Sequence, residues 1–142
     1  MDIRPATTEE HDKVLKVMKT SKHTGAFGNR PMFSNDDMYA KGWIVVAEID
    51  GLLVGAYCVR QSVRFKETVL YFITIDTKQR SKGIGLKLME DMKEQSPFNR
   101  IRLNVADDNP RARQFYEQMG FEEETEGQKP KGTARLALEF VK

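Results

Sequence analysis

LYFITIDTKQRSKGIGLKLMEDMKEQ, Leu70 to Gln95, is the stretch that decides how this chain folds. Its opening LYFITID is almost wholly apolar or β-branched, the composition of a strand buried on both faces. Its closing half sets Ile84, Leu88 and Met92 at helical spacing on one face. Between them, Gln79 to Gly85 (QRSKGIG) carries two glycines beside Gln79, Arg80 and Lys82. The first turn of a helix has unsatisfied N–H donors and the positive end of a dipole, so a strand, a glycine turn and a helix together suit a phosphate. Two readings are open for the turn on its own: an anion cradle, or a tight strand-to-helix connection.

Upstream, MDIRPA reads as a first strand, and Thr7 with Glu10 has the capping-box spacing. Val14, Val17 and Met18 then predict a helix running through about Thr20. A polar, glycine-bearing loop follows, and Ser34 with Asp37 predicts a short second helix ended by Gly42. WIVVAEID and LLVGAYCVRQ are β-rich runs joined by Asp50-Gly51, a strong hairpin signal. ETVLYFITID is the third strand of that group. Downstream, RIRLNV predicts another strand. Asn109 as N-cap and Pro110 at the first helical position open a helix that Gly120 stops. GFEEE and TARLALEFV predict two closing strands around a charged loop. The order is β-α-α-β-β-β-α-β-α-β-β, one mixed α/β (α+β) domain over residues 1–142.

A chain of 142 residues, 39% hydrophobic and 31% charged, has the composition of a soluble globular protein with a real core. Its 23 basic and 21 acidic residues nearly cancel, which gives no electrostatic argument for nucleic acid and says nothing against a local basic patch. The single cysteine, Cys58, cannot form an internal disulfide and sits in an apolar run, as a small core residue would. No apolar run approaches the roughly 18 residues of a membrane span, and the charged N-terminus has no signal-peptide core. These features predict a cytoplasmic protein with neither nucleic acid nor membrane as partner.

Two phosphate motifs can be tested against the turn, and both fail. A dinucleotide fingerprint needs a third glycine where Leu88 stands, and a Walker loop needs Gly-Lys-Ser/Thr where Gly85-Leu86-Lys87 stands. Arg80-Ser81-Lys82-Gly83-Ile84-Gly85 instead resembles the Arg/Gln-x-x-Gly-x-Gly/Ala loop of the GNAT superfamily of N-acetyltransferases. A second match follows in register. Leu103-Asn104-Val105, Asn109, Ala112, Phe115-Tyr116 and Gly120-Phe121 resemble that family's fifth strand and the helix after it. Thr77 stands where the family often has proline, and Ser81 where it usually has glycine; neither change removes an amide donor.

The resemblance implies a central mixed, mostly antiparallel sheet of about seven strands, splayed between the fourth and fifth and flanked by about four helices. It implies acetyl-CoA (coenzyme A) as cosubstrate and no metal. The pantetheine would pair with Ile73, Thr74 and Ile75, and the pyrophosphate would lie on Arg80, Ser81, Lys82, Gly83, Ile84 and Gly85. Asn109 would meet the pantetheine arm and Arg113 or Arg111 a phosphate. Tyr116 matches the general acid that protonates the departing thiolate. Asn109 has a second sufficient role as an N-cap, and Tyr116 as a helix aromatic packed on the sheet.

A general base is not assigned by the sequence. The strand ETVLYFITID has acids only at its ends, Glu67 and Asp76, so the base is open among Glu48, Asp76, a backbone carbonyl with a water chain, and solvent, with His23 a lesser candidate. The segments SKHTGAFGNRPMFSNDDMYAKG and EEETEGQKPKG flank the acceptor by family analogy. Together these features predict an acyl-CoA-dependent N-acyltransferase, carrying acetyl from acetyl-CoA to a primary amine by direct attack in a ternary complex. The absence of a Cys or Ser nucleophile constellation agrees with a route lacking a covalent intermediate. The acceptor is a small-molecule amine or a protein or peptide amine, and the oligomeric state is monomer or homodimer. The alternative is a non-catalytic acyl-CoA-binding or partner-binding domain on the same fold.

Overall fold

Thr7 and Glu10 close the predicted capping box, and with it the entry to the first helix. The Thr7 amide and Oγ1 meet Glu10 Oε1 at 3.0 and 3.2 Å. Residues 1–20, 36–80, 82–127 and 129–141 are described by the computed structural model. Strand β1 (Asp2–Pro5) leads through a 3-10 turn into α1 (His11–Met18), which buries Val14, Val17 and Met18. The helix stops short of Thr20, whose amide and Oγ1 both bond the Val17 carbonyl in a tighter closing turn. Helix α2 (Asp36–Ala40) follows and Gly42, at φ +70, ends it. Its predicted cap Ser34 lies outside the described residues.

Strands β2 (Ile44–Ile49) and β3 (Leu52–Ser62) pair antiparallel through the expected two-residue turn. Asp50 and Gly51 lie at φ +50 and +80, the left-handed pair that a type I′ hairpin requires. Strand β4 (Glu67–Ile75) is fully buried through Leu70 and then alternates, with Tyr71, Ile73 and Ile75 half-buried. Helix α3 (Ile84–Gln95), β5 (Arg100–Ala106), α4 (Pro110–Gln118), β6 (Glu122–Glu123) and β7 (Thr133–Glu139) complete the order. Among the described residues this is the element order predicted from the sequence. Strand β6 is shorter than GFEEE suggested, because Gly120 and Phe121 are used in closing α4.

The sheet has seven strands in the order β1-β2-β3-β4-β5-β7-β6. β4 and β5 run parallel, while β1–β2, β2–β3, β5–β7 and β6–β7 are antiparallel. Registered pairs between β4 and β5 are Thr68↔Ile101, Val69↔Arg102 and Leu70↔Leu103; both strands continue past them, to Ile75 and Ala106.

The chain divides into two compact units, residues 1–59 with 72–91, and residues 60–71 with 92–142. The first encloses Val14, Met18, Ile44, Val46, Tyr57, Leu88 and Met89; the second encloses Met92, Ile101, Leu103 and Leu136. Each such side chain contributes about 2 kcal/mol by leaving water. In the first unit Gly55 permits a close approach. A Cβ there would stand 3.1 Å from both Leu88 Cδ1 and the Thr74 carbonyl oxygen. In the second, buried polar side chains on β4 are satisfied: Thr68 Oγ1 lies 2.6 Å from both Gln61 Oε1 and Ser96 Oγ.

Candidate active site

β4 ends at Ile75, and the chain turns immediately. Asp76 Oδ1 accepts from the Lys78 amide at 2.9 Å, capping a 3-10 turn over Thr77–Gln79. Arg80 then runs extended, at φ −64 and ψ 157. Ser81 lies outside the described residues. Lys82 is exposed, and its Nζ donates to Gln79 Oε1 at 2.8 Å. Gly83 adopts φ +75, a conformation that favours glycine, and a Cβ built on it would have nothing within 4 Å. Its carbonyl accepts the Lys87 amide as α3 begins, and Ile84 anchors that first turn in the core while Gly85 is half-buried. Open space thus faces a left-handed glycine at the N-terminus of a twelve-residue helix, where first-turn amides have no intrahelical acceptor. Before the turn, Ile73 and Ile75 remain half-exposed on alternate positions of β4, with Thr74 buried between them.

The other predicted residues stand on α4 in the second unit. Asn109 caps it, its Oδ1 accepting the Ala112 amide at 3.3 Å ahead of Pro110. Gly120, at φ +101, closes it in a Schellman arrangement. The Gly120 amide bonds the Glu117 carbonyl and the Phe121 amide the Tyr116 carbonyl, both at 3.0 Å. Tyr116 is 8% exposed and sits between Phe115 and Phe121, with ring centroids 5.5 and 5.6 Å away. Burial pushes its phenol above the ordinary tyrosine value, so it stays a neutral O–H donor at physiological pH. Its hydroxyl has no hydrogen-bond partner among the described residues.

Arg113 is engaged by carboxylates: Nε meets Glu117 Oε1 at 3.0 Å and Nη2 meets Glu123 Oε1 at 2.8 Å. Arg111 is exposed.

Residues 13–121 match the family model described as the acetyltransferase (GNAT) family. The chain belongs to the GNAT acetyltransferase family. It is an N-acetyltransferase, and its reaction is acyl transfer to an amine acceptor. The 5-NmdU N-acetyltransferase of Pseudomonas phage PaMx11 is 45% identical over 119 residues, 84% of this chain and 85% of that protein. Among solved structures, PaiA N-acetyltransferase from Thermoplasma acidophilum in complex with coenzyme A superposes at TM-score 0.81 with 15% identity, covering 98% of each chain. Diaminobutyrate acetyltransferase from Paenibacillus lautus, in complex with L-2,4-diaminobutyric acid and coenzyme A, superposes at 0.76 with 14% identity, covering 97% of this chain and 93% of that one. At these identities the structural likeness carries the GNAT fold.

Of the GNAT base candidates the sequence raised, Glu48 accepts from Arg4 Nη2 at 3.2 Å, Asp76 caps the turn after β4, and His23 lies outside the described residues. Glu67 is taken up by structure. Its carboxylate is 5% exposed and accepts from Arg100 Nε at 3.1 Å and Arg102 Nε at 2.8 Å. Arg100 also holds Glu124 and Glu139, and Arg135 Nε reaches Glu124 at 3.2 Å, so the ion pairs run from β4 across β5 to the segment after β6. Arg100 holds the Glu124 carboxyl below the usual carboxylate range. Sequence reading missed this network, and the one available signal was an acid and two arginines at alternating positions on strands read as neighbours.

Among the described residues no helix is long and apolar enough to cross a membrane, and no three His, Cys, Asp or Glu side chains gather as a metal group. Cys58 is fully buried, and burial pushes its thiol up, away from nucleophilic use.

Proposed function

We propose that residues 1–142 act as one domain that transfers acetyl from acetyl-CoA to a primary amine by direct attack in a ternary complex. The observation carrying this reading is the turn at Arg80–Gly85, where left-handed Gly83 leaves open space at the first-turn amides of α3. That arrangement suits a pyrophosphate, with Arg80 and Lys82 alongside and Ser81 assigned to the same loop by the family resemblance alone. Ile73 and Ile75, half-exposed around Thr74, offer an extended backbone to the pantetheine amides in the manner of an added strand. By the family resemblance Asn109 would meet the pantetheine arm, and Arg113 or Arg111 a phosphate.

The amine nitrogen attacks the thioester carbonyl carbon, a C–N bond forms, and the C–S bond breaks. The departing sulfur takes a proton from the Tyr116 hydroxyl, the amine proton leaves to solvent, and a proton from solvent restores the Tyr116 phenol before the next cycle. Positioning, and amides polarising the thioester oxygen, supply most of the rate. Likeness at 45% identity supports 5-NmdU, the acceptor in the phage enzyme's name, as the acceptor here.

The test is mass spectrometry of 5-NmdU and a panel of other amines after incubation with the chain and acetyl-CoA. One acetyl group on 5-NmdU, with stoichiometric free thiol, is the expected result. Thiol release with other amines alone overturns the acceptor. No release with any amine, and no thermal stabilisation by coenzyme A (roughly 2.7 kcal/mol is expected at a hundred times Kd), overturns the reading as a whole.

A further inference from the structure

The hairpin between β3 and β4 ends in Val63-Arg64-Phe65-Lys66, and its tip shows two features that folding alone does not require. Val63 is 79% and Phe65 64% exposed, two large apolar side chains two residues apart at an ordered tip. The order is visible in the backbone, where the Lys66 amide bonds the Val63 carbonyl at 3.3 Å and the Phe65 amide bonds Ser62 Oγ at 3.4 Å. Lys66 also adopts φ +52, a left-handed conformation that costs a non-glycine residue on the order of 1 kcal/mol. Glycine would relieve that strain.

The overall charge of this chain is close to balanced, but the tip is not. From Arg60 to Lys66 there are three cations and no acid. The next acid, Glu67, is turned inward and consumed by Arg100 and Arg102. Arg64 and Lys66 are exposed and have no acidic partner among the described residues. The Arg64 guanidinium lies 5.1 Å over the Phe65 ring. Beside the tip is an open cleft of about 590 Å³, walled by Lys66, Asn99 and Arg100 together with Pro97, Phe98, Phe140 and Val141. Glu139 also faces it, paired to Arg100 at 3.2 Å.

We propose that this tip and cleft bind single-stranded nucleic acid, with phosphates on Arg64 and Lys66 and an unstacked base on Phe65. Cations interleaved with an exposed aromatic ring are the elements of a single-strand platform, where the backbone is neutralised and bases stack on a π-face. The cleft favours this occupant over a lipid surface. Its walls set the Phe98 and Phe140 rings beside the Asn99 amide, which suit a base and its edge, and the paired Arg100 and Glu139 interrupt the continuous apolar surface that insertion into lipid asks for. The proposal rests on residues outside the acetyl-transfer machinery and is independent of the acceptor.

The experiment is fluorescence anisotropy of a labelled single strand of about a dozen nucleotides, enough to span one such platform, with the full chain, no acetyl-CoA and stepwise salt. Binding to the single strand is expected, weaker to the matched duplex. Phe65→Ala should weaken it roughly tenfold, as loss of one stacked base does. Arg64→Ala with Lys66→Ala should reduce the slope of log affinity against log salt by about 1.4, two phosphates at about 0.7 each. Lys66→Gly, compatible with the left-handed turn, should keep the fold at least as stable while losing its share of the slope. Acetyl transfer to a small amine should be unchanged in all of these variants. No binding, binding indifferent to these substitutions, or preference for duplex overturns the proposal. So does a tip whose Phe65→Ala effect appears only in cosedimentation with phosphatidylserine vesicles or in sedimentation velocity of the chain alone. Failure of acetyl transfer leaves the oligonucleotide result standing.

Discussion

Phe121 holds Tyr116 twice: its amide donates to the Tyr116 carbonyl at 3.0 Å, and its ring centroid lies 5.6 Å from the Tyr116 ring. The backbone bond belongs to the Schellman closure that Gly120 permits, and the ring contact is the apolar contact that accompanies such a closure. The Gly-Phe pair after α4 therefore serves to fix the one phenol that the proposed chemistry uses.

Tyr116→Phe is expected to lower kcat by about a hundredfold, the lower range for loss of a general acid. Coenzyme A affinity and Tm should hold, because the hydroxyl has no hydrogen-bond partner among the described residues. Steady-state kinetics beside calorimetric titration checks both halves, and a wild-type kcat would remove Tyr116 from the mechanism. Phe121→Ala should behave differently, costing about 3–5 kcal/mol of stability as a buried aromatic.

Gly83→Ala tests the turn. At φ +75 an alanine carries roughly 1–2 kcal/mol of strain although its Cβ would touch nothing. The turn should relax toward negative φ and its amides should swing out of line. The expected result is a small loss of stability with at least a tenfold rise in the coenzyme A Kd, measured by titration calorimetry; equal losses in an unrelated turn glycine such as Gly132 would not carry that rise.

What the sequence made legible was local. The capping box at Thr7 and Glu10, the Asp50-Gly51 turn, and the Asn109-Pro110 start of α4 each depend on neighbours a few residues away, and each stands where expected. Cys58 is core for the same reason, an apolar residue in an apolar strand. What stayed hidden depends on strand register. Arg113 reaches Glu123 on β6, and Glu67 meets Arg100 and Arg102 more than thirty residues downstream, pairings that no periodicity encodes. The candidate site divides in the same way: the turn and α4 can be read as motifs, while the state of Tyr116 had to come from its burial.

Glu67 supplies the third prediction. Its carboxylate is nearly inaccessible and faces two guanidinium groups. Glu67→Gln leaves Arg102, 15% exposed, without its carboxylate, whereas Arg100 keeps Glu124 and Glu139. Breaking a buried pair from one side costs about 3–5 kcal/mol, and the surviving contacts of Arg100 place the expectation at about 3. Denaturant unfolding measures it. Glu67→Gln combined with Arg102→Met should recover part of the loss, since the stranded charge goes with it.

Glu10 gives the pH dependence. Arg4 Nη1 and Nη2 donate to its two carboxylate oxygens at 2.8 and 2.9 Å, and Thr7 adds its amide. The Arg4 hydrogen bonds lead in lowering the carboxyl from 4.5 to about 2. Because the folded value lies below the unfolded one, the stabilisation is complete above about 4.5 and drains away as pH falls through about 2. Arg4→Met removes the cause, so its carboxyl should titrate near the ordinary value and its stability should depend less on pH in that window. The check is the denaturant midpoint of both proteins from neutral pH downward. The wild-type advantage should be constant near neutrality and shrink steadily across the acid range, and a gap of constant width would mean that Arg4 contributes by packing rather than by holding the Glu10 charge.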